Sequence, residues 1–472
     1  MKKIIFFLIF IFTFYLIIAE LFNVYFSVKY SVIIILISIV YFIKLFRKKS
    51  IGIVSLLFFL VFTLPFLHLI PYLWIDLTIT TDRVWGLVAN PYQFNNDIMN
   101  LVGMMSTCGI IGMILPTLFI RKKNLHELIS KKSKIVRKSM PLVLWFIWLV
   151  IGLILSIISA PQESVLEVAN VNSESLSKEL NVSSAWLLSY VILLFALYDS
   201  LVEKNTFVRK IKKISIFSVI AYIVIILQFF RGDRESIPWL LACVLMIYYW
   251  LPFSTNTNFK IPKAKLTIFV TLAFVISVIV GAGRSKISDA GNLSNAAIIT
   301  TNIIKENPEL LKGTWTAVLL TPLSSAGDFL TNNKPYLWGE DYLNLILSIP
   351  PGFIADIFGY ERPWGKGKGP ATEMIYGQGG THSSVLPFRN FGLFGIIFIT
   401  SIIFNLLIKL DDVTYRKPSM SSTILLSTLV TVLPHWLWYG EKNLLNGLIM
   451  YSILLLFYKV SLAFKDITKQ IN

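Results

Sequence analysis

Long apolar stretches recur along most of the chain and are separated by short polar connectors. A bilayer core about 30 Å thick is crossed by about 20 apolar residues in a helix, and about twelve stretches approach that length. They are residues 4–19, 31–46, 52–72, 98–120, 141–159, 185–202, 214–230, 239–252, 266–281, 386–408, 421–437 and 444–463. The pattern predicts an all-α polytopic membrane protein with about twelve transmembrane helices.

The charged residues indicate which side of the membrane each connector faces. If successive stretches cross in alternating directions, most of the 43 Lys and Arg residues but few of the 26 acids fall on one side. Lys and Arg are enriched in cytoplasmic connectors, so we expect both termini to be cytoplasmic. The net charge of +17 then needs no nucleic-acid partner to explain it.

Composition excludes several other classes of protein. With 55% hydrophobic and 15% charged residues, the chain differs from an ordinary soluble domain, which has about 45–50% apolar and about 25% charged residues. Two cysteines cannot supply a disulfide framework or a cysteine-rich zinc site. We therefore expect a fold that lies in membrane lipid and is not held together by disulfides or structural metals.

One long segment, residues 282–385, lacks a membrane-crossing stretch and divides the chain into three parts. Residues 1–281 are expected to hold transmembrane helices 1–9, and residues 386–472 helices 10–12. The segment between them lies on the outer side if the spans alternate. Spaced apolar residues at 314–330 and 341–359 predict short helices that lie at the interface or re-enter the bilayer.

Two clusters of basic residues lie at the outer ends of the seventh and ninth predicted spans. The first contains Arg231, Asp233 and Arg234, and the second contains Arg284 and Lys286. A guanidinium group binds phosphate oxygens bidentately and keeps its charge in a partly dry site. Helix-end snorkelling with local Arg–Asp pairing is the structural alternative.

The strongest single signal lies where the external segment enters the tenth predicted span. His382 precedes the span, and Arg389 falls inside it. An ionisable residue within a spanning segment is energetically costly and marks a functional site by default. We expect His382 or a bound anion to be the partner of Arg389.

The external segments lack the motifs of several hydrolase and transferase classes. They contain no Asp-x-Asp pair, no HExxH and no GxSxG. We therefore expect chemistry without a metal and without a cofactor.

These features resemble those of the bacterial O-antigen polymerase and ligase superfamily. The shared features are many helices, a large external loop near the carboxyl end, arginines at outer helix ends, and a histidine before a Gly-x-x-Gly helix. Here His382-Ser383 is followed by eight residues and then by Gly-x-x-Gly at 392–395, a spacer one residue shorter than in the ligases. The length of the chain, its poor match to the ligases elsewhere and the Arg389-Asn390-Phe391-Gly392 ending look more like Wzy-type repeat-unit polymerases than like the ligases.

The resemblance implies a reaction and a location. Such polymerases transfer a growing glycan from undecaprenyl pyrophosphate to a sugar hydroxyl of the next lipid-linked repeat unit, at the outer face of the bacterial inner (plasma) membrane. The implied partners are undecaprenyl-pyrophosphate-linked oligosaccharides and membrane lipids, with a chain-length regulator and a flippase as possible protein partners.

Roles for individual residues follow from that chemistry. Arginines stabilise the charge that develops on the leaving pyrophosphate. A neutral histidine accepts the proton of the attacking hydroxyl, and a protonated one binds phosphate. The catalytic candidates are His382, Arg284 and Arg231, and the substrate-binding candidates are Arg234, Arg389, Lys286 and Asp233. Asp233, Asp289 and Asp328 compete with His382 as the base.

The sequence is also compatible with three other functions. A ligase would pass the glycan to another acceptor, such as a lipid A core. A transporter or flippase of lipid-linked sugars would use the arginines to bind an anionic substrate, although it would place charges nearer the middle of the bilayer. A scaffold subunit would have no chemistry.

Overall fold

The computed structural model describes three parts of the chain. The first is residues 11–119 without 13, 21, 49, 74–91, 93 and 94; the second is the single residues 298, 302 and 305; the third is 313–471 without 351, 365–368, 375–380 and 417–419. These residues form helices and connecting turns, with no strand among them. The helices are α1 (Val28–Arg47), α2 (Ile53–Thr63), α3 (Asn96–Phe119), α4 (Gly313–Asn332), α5 (Glu340–Leu347), α6 (Gly352–Ile357), α7 (Pro370–Glu373), α8 (Val385–Arg416), α9 (Met420–Tyr439) and α10 (Lys442–Ile471).

Five helical segments are long and apolar enough to cross a membrane. They are Val28–Arg47, Ile53–Ile70, Asn96–Phe119, Val385–Val413 and Asn443–Val460. They confirm helices of membrane-crossing length at the predicted stretches 31–46, 52–72, 98–120, 386–408 and 444–463. Helix α9 forms at the predicted stretch 421–437, and residues 14–19 of the first stretch are helical. The five predicted stretches from 141–159 to 266–281 lie outside the described residues.

The chain divides into two compact units. The first consists of Met1–Asn124, Trp315–Asp412 and Leu433–Leu445, and the second of Leu125–Thr314, Val413–Val432 and Asn446–Asn472. Within the second unit, Gly447 packs against Val432, where an added Cβ would lie 3.0 Å from the valine methyl groups. The predicted site residues that the structure describes, His382, Arg389 and Asp328, all belong to the first unit.

Small and hydroxyl-bearing residues bring α1 and α3 together. Gly103 lies so close to Ser31 that an added Cβ would approach its Oγ to 2.7 Å. The Thr107 hydroxyl donates to Ser31 Oγ over 3.2 Å, and the hydroxyls of Tyr41 and Thr117 bond over 2.8 Å. Small residues let helices approach closely, and hydroxyl pairs replace the hydrogen bonds that lipid cannot supply.

A carboxylate from α8 caps the amino terminus of α2. Asp411 is 2% exposed, and its oxygens accept from the Val54 and Ser55 amides over 3.3 and 3.0 Å and from the Ser55 hydroxyl over 2.6 Å. The first amides of a helix have no partner inside the helix and attract negative charge. Asp411 therefore links two helices that are more than 300 residues apart in the sequence.

Pro65 changes the hydrogen-bond pattern of the second crossing segment. The α-helix ends at Thr63 and continues as a 3-10 helix over Leu64–Leu73. Proline has no N–H, so Pro65 cannot donate to the carbonyl of Val61, four residues earlier, or to that of Phe62, three residues earlier. The Trp438 indole donates to the Val61 carbonyl over 2.9 Å, and His382 Nε2 bonds to the Phe62 carbonyl over 3.1 Å.

The segment predicted as an external loop contains a helix with a buried face. Helix α4 confirms the helix predicted at 314–330, and Thr321, Leu323 and Ala326 on it are at most 4% exposed. The predicted helix at 341–359 is instead divided into α5 and α6, with Pro350 between them.

Candidate functional site

The loop before α8 is held by backbone hydrogen bonds to two other helices. The His382 amide donates to the Thr321 hydroxyl of α4 over 3.1 Å, and the Ser383 amide donates to the Leu437 carbonyl of α9 over 2.9 Å. Ser384 then begins α8, because its carbonyl accepts the Phe388 amide over 3.2 Å. The start of α8 is thus fixed by contacts with α4 and α9.

The His382 ring is fully buried and uses both of its nitrogens. Nε2 lies 3.1 Å from the Phe62 carbonyl, which can only accept, so this nitrogen carries the proton. Nδ1 then accepts from the Ser384 hydroxyl over 2.8 Å and from the Ser384 amide over 3.2 Å. The rings of Phe62 and Phe66 lie 4.9 and 5.0 Å from the imidazole.

Burial controls the protonation of this histidine. The absence of solvent lowers the pKa of His382 to about 4, although the Phe62 carbonyl favours the charged form. The imidazole is therefore neutral at pH 7. The neutral ring thus links α2 to the start of α8, while the backbone amide of His382 links this loop to α4.

Arg389 bonds to carboxylates and not to His382. Its Nη2 lies 2.6 Å from Glu373 Oε2, and its Nε lies 3.4 Å from Asp341 Oδ2. A third contact runs from Nη1 to the Pro370 carbonyl over 3.0 Å. The expected partner was His382 or an anion; the structure instead pairs the guanidinium with acids of α5 and α7, whose negative charge compensates a cation in a spanning segment.

Helix α8 is interrupted directly after Arg389. Phe391 and Gly392 leave the helical conformation, and Gly392 has a φ of 65° and a ψ of −156°. The carbonyls of Arg389 and Asn390 instead accept the amides of Leu337 and Trp338 over 2.9 and 3.2 Å. A broken helix is tolerated at membrane depth only when such partners satisfy its free backbone groups.

Two side chains complete the interruption of α8. Glu20 Oε1 accepts the Leu393 amide over 2.6 Å and so caps the helix where it resumes. The Asn390 side chain accepts from the Gly339 amide over 2.9 Å and donates to Asp341 Oδ2 over 3.0 Å. It therefore ties α8 to the start of α5.

Asp341 carries the clearest perturbation among the acids around Arg389. Burial raises the pKa of Asp341 to about 6, although the charge of Arg389 and the Asn390 hydrogen bond act in the opposite direction. This carboxyl therefore titrates close to neutral pH beside the guanidinium.

A cavity of about 140 Å³ lies beside Arg389. Lys334 on its wall forms a 2.7 Å ion pair with Asp328 and donates to the Glu373 carbonyl over 3.3 Å. The cavity is lined by Ser325, Asp328, Phe329, Lys334, Pro335, Tyr336, Leu337, Glu373, Met374, Phe388 and Arg389. It brings together two residues singled out from the sequence, Arg389 and Asp328, whereas His382 is not part of its lining.

One hydroxyl on the cavity wall has no partner among the described residues. Ser325 is 4% exposed, and its Oγ makes no hydrogen bond. A buried hydroxyl without a partner costs about 1–3 kcal/mol. The wall therefore combines apolar and aromatic side chains with a few charged and hydroxyl groups, as ligand pockets in proteins commonly do.

The other residues predicted for the site lie outside the described residues. They are Arg231, Asp233, Arg234, Arg284, Lys286 and Asp289. Within the described parts of the chain, no group of three or more His, Cys, Asp or Glu side chains is arranged to hold a metal ion.

Sequence reasoning missed four charged residues of this site, Glu20, Lys334, Asp341 and Glu373. They carry no motif. Glu20, Asp341 and Glu373 contact groups on α8 that are 16 to 373 residues away, whereas Lys334 pairs with Asp328 only six residues earlier. Only Glu20 had a visible signal, since it is an acid at the end of an apolar stretch.

In comparisons with known proteins, no family model, no curated protein and no solved structure matches this chain.

Proposed function

We propose that this protein is a membrane glycosyltransferase that polymerises a polysaccharide from lipid-linked repeat units. It transfers a growing glycan from undecaprenyl pyrophosphate to a sugar hydroxyl of the next undecaprenyl-pyrophosphate-linked unit, at the outer face of the bacterial inner membrane. The proposal includes about twelve spans with both termini in the cytoplasm. Its basis is the sequence resemblance around His382, together with a charged cavity beside an apolar helix.

The observation that carries this proposal is that Arg389 and Asp328 line the same cavity. A glycosyl transfer from a pyrophosphate needs a cation for the leaving group and a base for the acceptor hydroxyl. Arg389 is 16% exposed and its present partner Glu373 is 43% exposed, so a pyrophosphate can compete for the guanidinium at the open side. Asp328, which is 4% exposed, lines the same cavity, and its carboxylate accepts from Lys334 on Oδ2 and from Tyr92 and Asn332 on Oδ1.

The proposed step breaks the bond between the anomeric carbon and the pyrophosphate oxygen. The acceptor hydroxyl forms the new bond to that carbon, its proton passes to the Asp328 carboxylate, and undecaprenyl pyrophosphate leaves with the bonding electrons. Arg389 stabilises the charge that grows on the leaving oxygen. Arg231 and Arg284, with Arg234, Lys286 and Asp233, remain candidates for holding the pyrophosphates.

The sequence made His382 a candidate base, and we assign it a different role. Because His382 does not line the cavity, and both of its ring nitrogens are bonded within the protein, we assign it to positioning α8, and hence Arg389, rather than to proton transfer. A buried network of this kind fixes the geometry of a neighbouring site.

The direct test is to incubate the purified protein with lipid-linked repeat unit, with and without a chelator, and to measure the length of the glycan. Polymer should form in both conditions. Arg389→Ala and Asp328→Asn should each reduce the rate by about 100-fold or more, whereas Lys409→Ala, an exposed residue farther along α8, should leave it unchanged. Wild-type rates in both site variants would refute the assignment.

A ligase is separated from a polymerase by its product in cells. Loss of a polymerase leaves single repeats on the final carrier, whereas loss of a ligase leaves long chains that stay unattached. Long unattached chains after deletion of the gene would therefore replace the polymerase proposal by the ligase.

The interruption of α8 supports a second candidate, a transporter of lipid-linked sugars. Broken helices form substrate sites near the bilayer midplane in many transporters, because the helix ends there face the substrate. Here the break lies at Phe391 and Gly392, next to Arg389 and nearer the start of the candidate span Val385–Val413 than its middle. Reconstituted vesicles that translocate the lipid-linked unit without forming polymer would favour this function.

A further inference from the structure

Helix α5 has the opposite amphipathic arrangement from a helix of a soluble protein. Leu343, Ile346 and Leu347 lie three or four residues apart on one face and are 56%, 59% and 42% exposed. The opposite face holds Asp341 and Leu345, which are 1% and 8% exposed. An acid thus faces the protein interior, and the large apolar side chains face outward.

The chain on both sides of α5 extends this apolar face. Trp338 before the helix is 77% exposed, and Ile357 and Phe358 after it are 74% and 76% exposed. Exposed apolar clusters of this kind mark sites of contact with proteins, ligands or membranes. We call Trp338, Leu343, Ile346, Leu347, Ile357 and Phe358 the apolar patch.

Backbone hydrogen bonds give the depth at which this patch begins. The amides of Leu337 and Trp338 donate to the carbonyls of Arg389 and Asn390, which lie four and five residues after Val385, the first residue of a candidate span. At 1.5 Å per residue, that distance is about 6 Å along the helix.

The length of the span relates this depth to the lipid. Val385–Val413 has 29 residues, which extend about 43 Å at the helical rise. A hydrocarbon core of about 30 Å centred on this span leaves about 6 Å of it outside the core at each end. Trp338 therefore begins the patch close to the level where hydrocarbon meets the headgroups. Tryptophan is enriched at this level, and amphipathic helices lie there with their apolar face toward the acyl chains.

We propose that the apolar patch is a lipid-binding surface that lies in the headgroup region of the bilayer, with α5 parallel to the membrane plane. Two exposed charges directly beside it, Glu340 and Asp356, are acidic. Anionic headgroups would repel them, so the occupant is zwitterionic lipid. This surface is independent of the proposed enzymatic function.

The test uses a fluorophore attached to single cysteines in the full-length protein. In a background with Cys108→Ala and Cys243→Ala, Ile346→Cys and Phe358→Cys each place a label in the patch, and Asp356→Cys places the matched control label on α6. The proteins are labelled with a nitrobenzoxadiazole maleimide and reconstituted in phosphatidylcholine vesicles. Monodispersity by size-exclusion chromatography selects the variants that fold.

The two patch labels should be quenched at least two-fold more by phosphatidylcholine with a spin label near the headgroup than the control label, and less by aqueous iodide. Addition of phosphatidylglycerol should not strengthen the lipid quenching. Quenching by iodide equal to that of Asp356→Cys would show that the patch faces water. Protection from both quenchers would show that protein, including a second copy of this chain, covers it. Either result, or a requirement for phosphatidylglycerol, overturns the proposal.

Discussion

The interruption of α8 at Gly392 makes the most specific prediction about stability. Its φ of 65° with a ψ of −156° is a conformation that essentially only glycine adopts, and another residue there costs about 1–3 kcal/mol. An added Cβ would also lie 2.6 Å from Glu20 Oε1 and 2.8 Å from the Tyr336 hydroxyl. Gly392→Ala should therefore also displace the carboxylate that caps Leu393, and losing a cap costs about 1 kcal/mol.

Together these contributions should lower the free energy of unfolding by about 3 kcal/mol. Two glycines serve as controls. Gly359 has a φ of 67° but nothing within 4 Å of an added Cβ, so Gly359→Ala should cost only the backbone strain, about 1 kcal/mol. Gly369 has open space and no positive φ, so Gly369→Ala should change stability by less than about 0.5 kcal/mol.

The assay is unfolding in mixed micelles by increasing sodium dodecyl sulfate, followed by tryptophan fluorescence. A double-mutant cycle with Glu20→Ala measures the cap separately, because removal of that side chain removes the cap and its clash with the added Cβ, while the contact with Tyr336 stays. Gly392→Ala should then cost about 1 kcal/mol less than in the wild type. Equal costs for Gly392→Ala and Gly359→Ala, or strict additivity with Glu20→Ala, would refute the reasoning.

Three further predictions concern the other long-range contacts. Burial lowers the pKa of His382 from 6.5 to about 4, so the unfolded chain binds the proton at a higher pH than the folded protein. The free energy of unfolding, relative to that of His382→Gln, should therefore fall by about 3 kcal/mol as the pH falls from 6.5 to 4. Parallel plots of the unfolding free energy against pH for the two proteins would contradict this. Asp411→Ala removes the cap of α2 and should cost about 2 kcal/mol in the same unfolding assay, against less than about 0.5 kcal/mol for Lys409→Ala. Trp438→Phe leaves the Val61 carbonyl without its indole donor and should cost about 1–3 kcal/mol, and a smaller cost would show that water or lipid headgroups replace the donor.

The predicted site could be recognised only in part from the sequence. Arg389 was identified because a guanidinium in an apolar stretch is unusual, and Asp328 was one of several candidate bases. The sequence did not reveal that both line one cavity, since Asp328 lies on α4 and Arg389 on α8. The expectation that His382 accepts a proton or binds phosphate came from the chemistry that the resemblance implies, whereas its burial against Phe62 depends on a contact across 320 residues.

The apolar stretches by themselves determined the helices of membrane-crossing length, such as Val28–Arg47 and Asn96–Phe119, because hydrocarbon allows only structures that bond their own backbone. Local sequence also determined where backbone groups would lack partners, at Pro65. The tertiary structure decided which groups satisfy them: Trp438 and His382 beside Pro65, Glu20 at the break in α8, and Asp411 at the start of α2. These partners depend on which helices lie side by side, and hydrophobic periodicity carries no information about that arrangement.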